Sequence, residues 1–153
     1  MNEQADSLQD IYRRKVLEHS REPHNFGRLE QFDNEATGFN PLCGDKLSVY
    51  LQISGDKIHQ AAFEGTGCAI CIASASIMTD ALTGQSVAKA QQLGKQVQAM
   101  FKDGAAVHDE AIADMEALAS VRHYPSRIKC ATLAWTTVAA ALSGEAKQVS
   151  TEN

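Results

Sequence analysis

Positive charge is scarce in this sequence: 14 Lys and Arg stand against 19 Asp and Glu, a net charge of -5 with histidine neutral. Wide contact with nucleic acid or an anionic membrane requires a basic face, and there is no RNA-type aromatic motif, so neither partner is expected. Long apolar runs are also missing, none approaching the ~18–20 residues that span a bilayer. The opening, Met1 to Asp10, is polar and acidic and has neither the basic nor the apolar region of a signal peptide. The expected location is therefore the cytoplasm. Thiols stay reduced there, and four cysteines read as metal-binding or catalytic rather than as two disulfides. Internal repeats and low-complexity linkers are absent as well. A chain of 153 residues fits one domain of ordinary size, expected over residues 1–144 with a polar, frayed tail over 145–153.

What is present organises itself by period. Ser7-Leu-Gln-Asp10 has the form of a capping box, and Leu8, Ile11, Tyr12 and Val16 recur at helical spacing. A first helix over about Ser7–His19 follows. Pro23, Asn25 and Gly27 make the next stretch a loop, and Glu35–Phe39 is a weak strand. Leu47, Val49, Leu51 and Ile53 alternate with polar or amphipathic neighbours, the period of a half-buried strand. Ser54-Gly-Asp-Lys57 then turns the chain into a second arm over Ile58–Glu64. Beyond Gly65-Thr-Gly67, the nearly uncharged stretch Ala69–Leu82 predicts a buried central helix. Ser86 opens another helix to about Lys102, Asp109–Ala119 a short one, and Pro125 a last one ending at Gly144. The sum is α+β, a small antiparallel sheet with helices around it.

The chemistry is concentrated in the cysteines. Cys43 and Asp45 lie in Asn40-Pro-Leu-Cys-Gly-Asp45, a proline- and glycine-bearing turn that can aim both side chains at one point. Cys68 follows Gly65-Thr-Gly67 at a helix start, where dipole and free amides favour thiolate. Cys130 lies early in the last helix. Three thiolates and one carboxylate suit tetrahedral zinc, and thiolates also suit iron–sulfur clusters. A carboxylate is a harder, more replaceable ligand than a fourth thiolate, which suits a site that opens. The plain alternative, that these are small buried hydrophobes, stays open here, most of all for Cys130. Cys71 completes Cys68-Ala-Ile-Cys71, which reads as a redox dithiol, an alternate ligand or simple core packing. Arg127, Lys129 and Lys46 could stabilise thiolate or persulfide if they face the site. His19, His24 and His123 could approach a site, while His59 and His108 read as solvated.

With these residues in view, the chain resembles the U-type iron–sulfur cluster assembly proteins, the IscU/NifU-N family, and most closely its SufU branch. The resemblance rests on Asn40–Asp45, on Glu64-Gly-Thr-Gly-Cys-Ala-Ile70 with Ala73-Ser-Ala-Ser76, and on Arg127-Ile-Lys-Cys-Ala-Thr-Leu-Ala-Trp135. The opening helix with Tyr12 and His19, and Pro23, Asn25 and Gly27, also fits. The resemblance implies a three-stranded antiparallel sheet with helices packed on it, and metal ligation by Cys43, Asp45, Cys68 and Cys130. Lys129 occupies the position of the histidine typical of IscU, and residues 85–117 look like the SufU helical insertion. Departures are Cys71, where SufU proteins usually carry serine, and Glu22 and His24, where asparagine and arginine are more usual.

The function this implies is that of a zinc-dependent acceptor of persulfide sulfur from a pyridoxal-phosphate-dependent, SufS-like cysteine desulfurase. Cys43 is the expected attacking thiolate, and downstream cluster assembly proteins are the expected recipients. Such a protein is a sulfurtransferase-type carrier more than a turnover enzyme. The near alternative is a scaffold for a transient [2Fe–2S] cluster on the same four residues. A thioredoxin-like oxidoreductase using Cys68 and Cys71, or a purely structural zinc module, are the more distant alternatives.

Overall fold

The computed structural model describes residues 7–144 and 147–151. Helix α1 (Leu8–Arg21) begins where the Ser7 side chain accepts a hydrogen bond from the Asp10 amide at 3.1 Å. Strands β1 (Asn34–Asn40), β2 (Asp45–Ser54) and β3 (Lys57–Thr66) follow as two consecutive antiparallel hairpins. Helices α2 (Ala69–Leu82) and α3 (Val87–Asp103), a 3-10 segment (Glu110–His123), α4 (Pro125–Ser143) and a short β4 (Gln148–Ser150) complete the chain. Among the described residues, no helix is long and apolar enough to cross a membrane.

The sheet corrects the expectation of three antiparallel strands. It has four, in the order β3-β2-β1-β4, and β4 runs parallel to β1, so the sheet is mixed. The added strand comes from the segment expected to fray; residues 145–146 and 152–153 of that segment lie outside the described residues. Thr37 donates its amide to Lys147 O at 2.7 Å and Thr151 to Phe39 O at 3.0 Å, closing what would otherwise be an open β1 edge.

The hydrophobic face of β2, formed by Leu47, Val49 and Leu51, is fully buried, and α4 packs on β1 and β2 while α2 packs on β3. Helix α2 is the centre of the molecule. Every residue from Ala73 to Thr79 is buried, as a helix with almost no charge should be. Its buried hydroxyls are satisfied within the core: Ser74 donates to Ala131 O at 2.6 Å and accepts from the Trp135 indole at 3.2 Å. The segment after α3, expected as a short helix over Asp109–Ala119, is a 3-10 helix that runs on to His123. Ile112, Met115, Leu118 and Val121 are its buried large residues, and a spacing of three aligns them on one face of a 3-10 helix. Non-helical backbone at Ile112 interrupts it.

Candidate metal centre

Three segments far apart in sequence meet at one end of α2. The first is the β1–β2 hairpin. Asn40 pairs with Asp45 across it, and residues 41–44 form the connecting turn, with the Cys43 and Gly44 amides both donating to Asn40 O. Gly44 has φ of 72°, the left-handed region that L side chains rarely adopt. This turn carries Cys43 into solvent while Asp45, at the start of β2, is only 2 % exposed. The second segment is the N-terminus of α2. Cys68 is its N-cap residue and makes no side-chain cap of its own. The third is the second turn of α4, where Cys130 is fully buried.

Cys43, Asp45 and Cys130 each place a potential ligand atom within 4.8 Å of the other two. The Cys130 thiol donates to Cys43 Sγ at 3.4 Å. Asp45 Oδ1 accepts the Cys68 amide at 3.1 Å, which draws the start of α2 onto the hairpin. The Cys68 thiol lies outside the tight triad but near enough to Cys130 and the Arg127 guanidinium to bear on the titration of both. All four expected ligands are thus neighbours, three of them tightly. Gly67 makes the closeness possible: a Cβ there would sit 2.9 Å from Cys71 Sγ and 3.0 Å from Asp45 Oδ1.

The donor set fits a thiophilic metal. Burial, reinforced by the thiol's own hydrogen-bonding toward Cys43, Asp45 and Cys68, pushes the Cys130 thiol up and favours its protonated form when no metal is bound. A bound metal takes the place of such protons and holds the sulfurs as thiolates. The supporting residues divide. Arg127 is exposed beside Cys68 and Cys130, and negative charge on those sulfurs would raise its own pKa. Lys129 is half-buried one residue before Cys130, and Lys46 places its ammonium 5.6 Å from the Phe39 ring centre. Cys71 is fully buried, a member of the hydrophobic core, with its thiol pushed up chiefly by burial. That placement favours packing over an accessible Cys68–Cys71 dithiol.

Two participants were not among the expected site residues. Asn40, fully buried, donates through Nδ2 to Asp45 Oδ2 at 3.0 Å and to Cys130 Sγ at 3.5 Å. Thr151, beyond β4, donates to Asn40 Oδ1 at 3.2 Å and so fixes which way the amide points. Asn40 opens the Asn40–Asp45 motif, so its position was a signal; Thr151 carried none. The histidines do not join the cysteines. His59, His108 and His123 are exposed, while His19 and His24 gather with Asp80 toward the other end of α2.

Comparison with known proteins gives the family. The family model for the NifU-like N-terminal domain matches residues 11–143. A curated relative from Bacillus subtilis (strain 168), the zinc-dependent sulfurtransferase SufU, is 37% identical over 130 residues, 84% of this chain and 87% of its own. The iron–sulfur cluster assembly scaffold protein IscU of Streptococcus pyogenes serotype M1 is 36% identical over 148 residues, 95% of this chain and 92% of its own. The crystal structure of the N-terminal part of a nitrogen-fixing NifU-like protein from Brucella abortus superposes with a TM-score of 0.81 at 27% identity, covering 91% of this chain and 99% of that one. On the family match and the two curated relatives together, the chain belongs to the NifU-like N-terminal domain family.

Proposed function

We propose that this protein serves iron–sulfur cluster assembly by accepting persulfide sulfur from a cysteine desulfurase at a zinc site formed by Cys43, Asp45, Cys68 and Cys130. The observation that carries this reading is the unequal mounting of the sulfurs. Cys43 rides an exposed turn with a left-handed glycine beside it, whereas Cys130 is fully buried in α4 and Cys68 is tied by its amide to Asp45. Only Cys43 can reach a docked partner without disturbing a helix.

Zinc, when bound, supplies thiolate at neutral pH. The Cys43 thiolate then attacks the terminal sulfur of the partner's persulfide. A new S–S bond forms on Cys43, the old one breaks, and the partner's cysteine leaves as a thiolate. Arg127, exposed beside Cys68 and Cys130, offsets negative charge on the sulfurs during the exchange. Buried Asp45 supplies the harder, more replaceable donor of the set. The Bacillus subtilis relative, named as a zinc-dependent sulfurtransferase, supports the same reading.

The test is desulfurase turnover with and without the protein, with metal measured on the same sample and the sulfur adduct located by mass spectrometry. Wild type gains one sulfur atom on Cys43 and accelerates turnover; Cys43→Ala does neither. Transfer to Cys43→Ala at the wild-type rate sinks the assignment. The scaffold reading is favoured by the Streptococcus pyogenes relative, which covers 95% of this chain and is named as a scaffold. Anaerobic purification separates the two, since colourless zinc protein supports transfer and a transferable coloured cluster supports scaffolding.

A further inference from the structure

A second group of metal-type donors lies at the far end of α2. Cys68 caps the helix start, and Asp80 stands 12 residues later in its last turn, about 18 Å along the axis at 1.5 Å per residue. There His19, from the last turn of α1, and His24, from the loop after Pro23, meet Asp80. One ring nitrogen of each histidine and a carboxylate oxygen of Asp80 all lie within 4.8 Å of one another. The imidazole rings are 4.5 Å apart, centre to centre.

The surroundings hold these donors in place. His19 Nδ1 is hydrogen-bonded to Ser76 Oγ at 2.7 Å, and the same hydroxyl accepts the His24 amide at 2.8 Å. Asn25 Nδ2 donates to Asp80 Oδ1 and to Thr79 Oγ1, both at 3.0 Å. The other carboxylate oxygen, Oδ2, meets His24 Nδ1. Ligating imidazoles are oriented by a hydrogen bond on the second nitrogen, and ligating carboxylates are themselves hydrogen-bonded. Ser76 does this for His19 and Asn25 for Asp80. His19 is buried while the His24 and Asp80 side chains are about half exposed. The half-exposed His24 and Asp80 side chains leave the group open to solvent, and His24 also borders a cleft of about 580 Å³ lined by Arg14, Leu17, Glu18, Arg21 and Glu22.

We propose that His19, His24 and Asp80 form a second metal site for a divalent transition cation of the zinc and iron(II) class. Two imidazoles and one carboxylate are a donor set for these ions, with at least one position left for water or a further ligand. The site contains no sulfur and shares no residue with the cysteine centre. It is specified by His24, since an arginine there could pair with Asp80 but could not ligate.

Zinc titration of the metal-free full chain tests it, with bound metal counted after dialysis and the imidazole resonances followed by NMR. His24→Arg is the informative variant, because arginine can still hydrogen-bond Asp80 and so keep the contact that ties the loop to α2. Wild type is expected to bind one zinc more than His24→Arg, and Asp80→Asn to lose the same equivalent. Zinc should shift the imidazole signals of His19 and His24 and leave those of His59, His108 and His123 in place. Because the readout is a difference between wild type and variant, occupancy of the cysteine centre does not enter it. Equal zinc in wild type and His24→Arg, or shifts confined to the other histidines, overturns the proposal and leaves a plain hydrogen-bonded cluster.

Discussion

With 2 % of its surface exposed, Asp45 gives one carboxylate oxygen to the Cys68 amide and the other to Asn40. It therefore binds the hairpin to the first turn of α2 whether or not a metal is present, and its negative charge faces the positive end of the helix dipole. Each carboxylate oxygen keeps a lone pair beyond those hydrogen bonds, so ligation and bracketing are compatible. Asp45→Ala strands two polar groups, and at 1–3 kcal/mol for each buried unsatisfied group it should destabilise the metal-free protein by about 2–6 kcal/mol. Asp45→Asn retains an acceptor and should lose less. Urea unfolding in the presence of chelator measures both. A metal-free Asp45→Ala as stable as wild type would mean the carboxylate serves only as a ligand. Sequence spacing marked Asp45 as a ligand because Gly44 and the turn aim it beside Cys43. Its hold on Cys68 was not legible, because the two partners are 23 positions apart and only the folded hairpin joins them.

At the scale of elements, the helices were readable wherever a local signal exists. Ser7 and Ser86 cap α1 and α3 through their side chains, and Gly104 and Gly144 end α3 and α4 in left-handed backbone. The β2–β3 hairpin was readable from alternation and from Gly55. The short helix expected over Asp109–Ala119 is present but is 3-10 and runs on to His123, because its buried row from Ile112 to Val121 repeats every three residues. β4 was missed for a different reason. Three residues carry no usable period, and its parallel pairing with β1 depends on a contact between positions 111 apart. Yet β4 bears on function, since Thr151 orients the Asn40 amide that donates to Asp45 and Cys130. Groups behind metal ligands typically contribute 10–100-fold in affinity. Thr151→Val is expected to weaken zinc at the cysteine centre by about 10-fold, with truncation after Gly144 weakening it further. Competition with a chromophoric chelator gives the constants. If Thr151→Val binds zinc as wild type does, β4 stabilises the sheet and nothing more.

For the whole molecule, the question is whether the metal builds the fold or merely occupies it. The core runs from Leu47, Val49 and Leu51 on the sheet, through Met78 and Leu82 on α2, to Leu93, Leu133 and Trp135, all at most 1 % exposed. The cysteine centre sits at the rim of this core, at one end of α2, with Cys43 already outside it. Among the described residues no element is held to the rest by the cysteine centre alone: α2 also packs on α1, β3 and α4, and α4 on β1, β2 and α3. A structural zinc module behaves otherwise, because its few residues bury too little without the ion. Metal removal should therefore leave the far-ultraviolet circular dichroism spectrum intact and shift only the midpoint of unfolding. Free zinc at 100 times its dissociation constant stabilises a folded protein by about 2.7 kcal/mol. For a chain of this size each kcal/mol moves the midpoint by roughly 2–4 °C, so chelation should lower it by about 5–10 °C. Using His24→Arg as the background confines the measurement to the cysteine centre. Loss of helix signal on chelation at room temperature would place the metal among the structural supports of the fold, and a sulfur acceptor that must open its site could not then do so without unfolding.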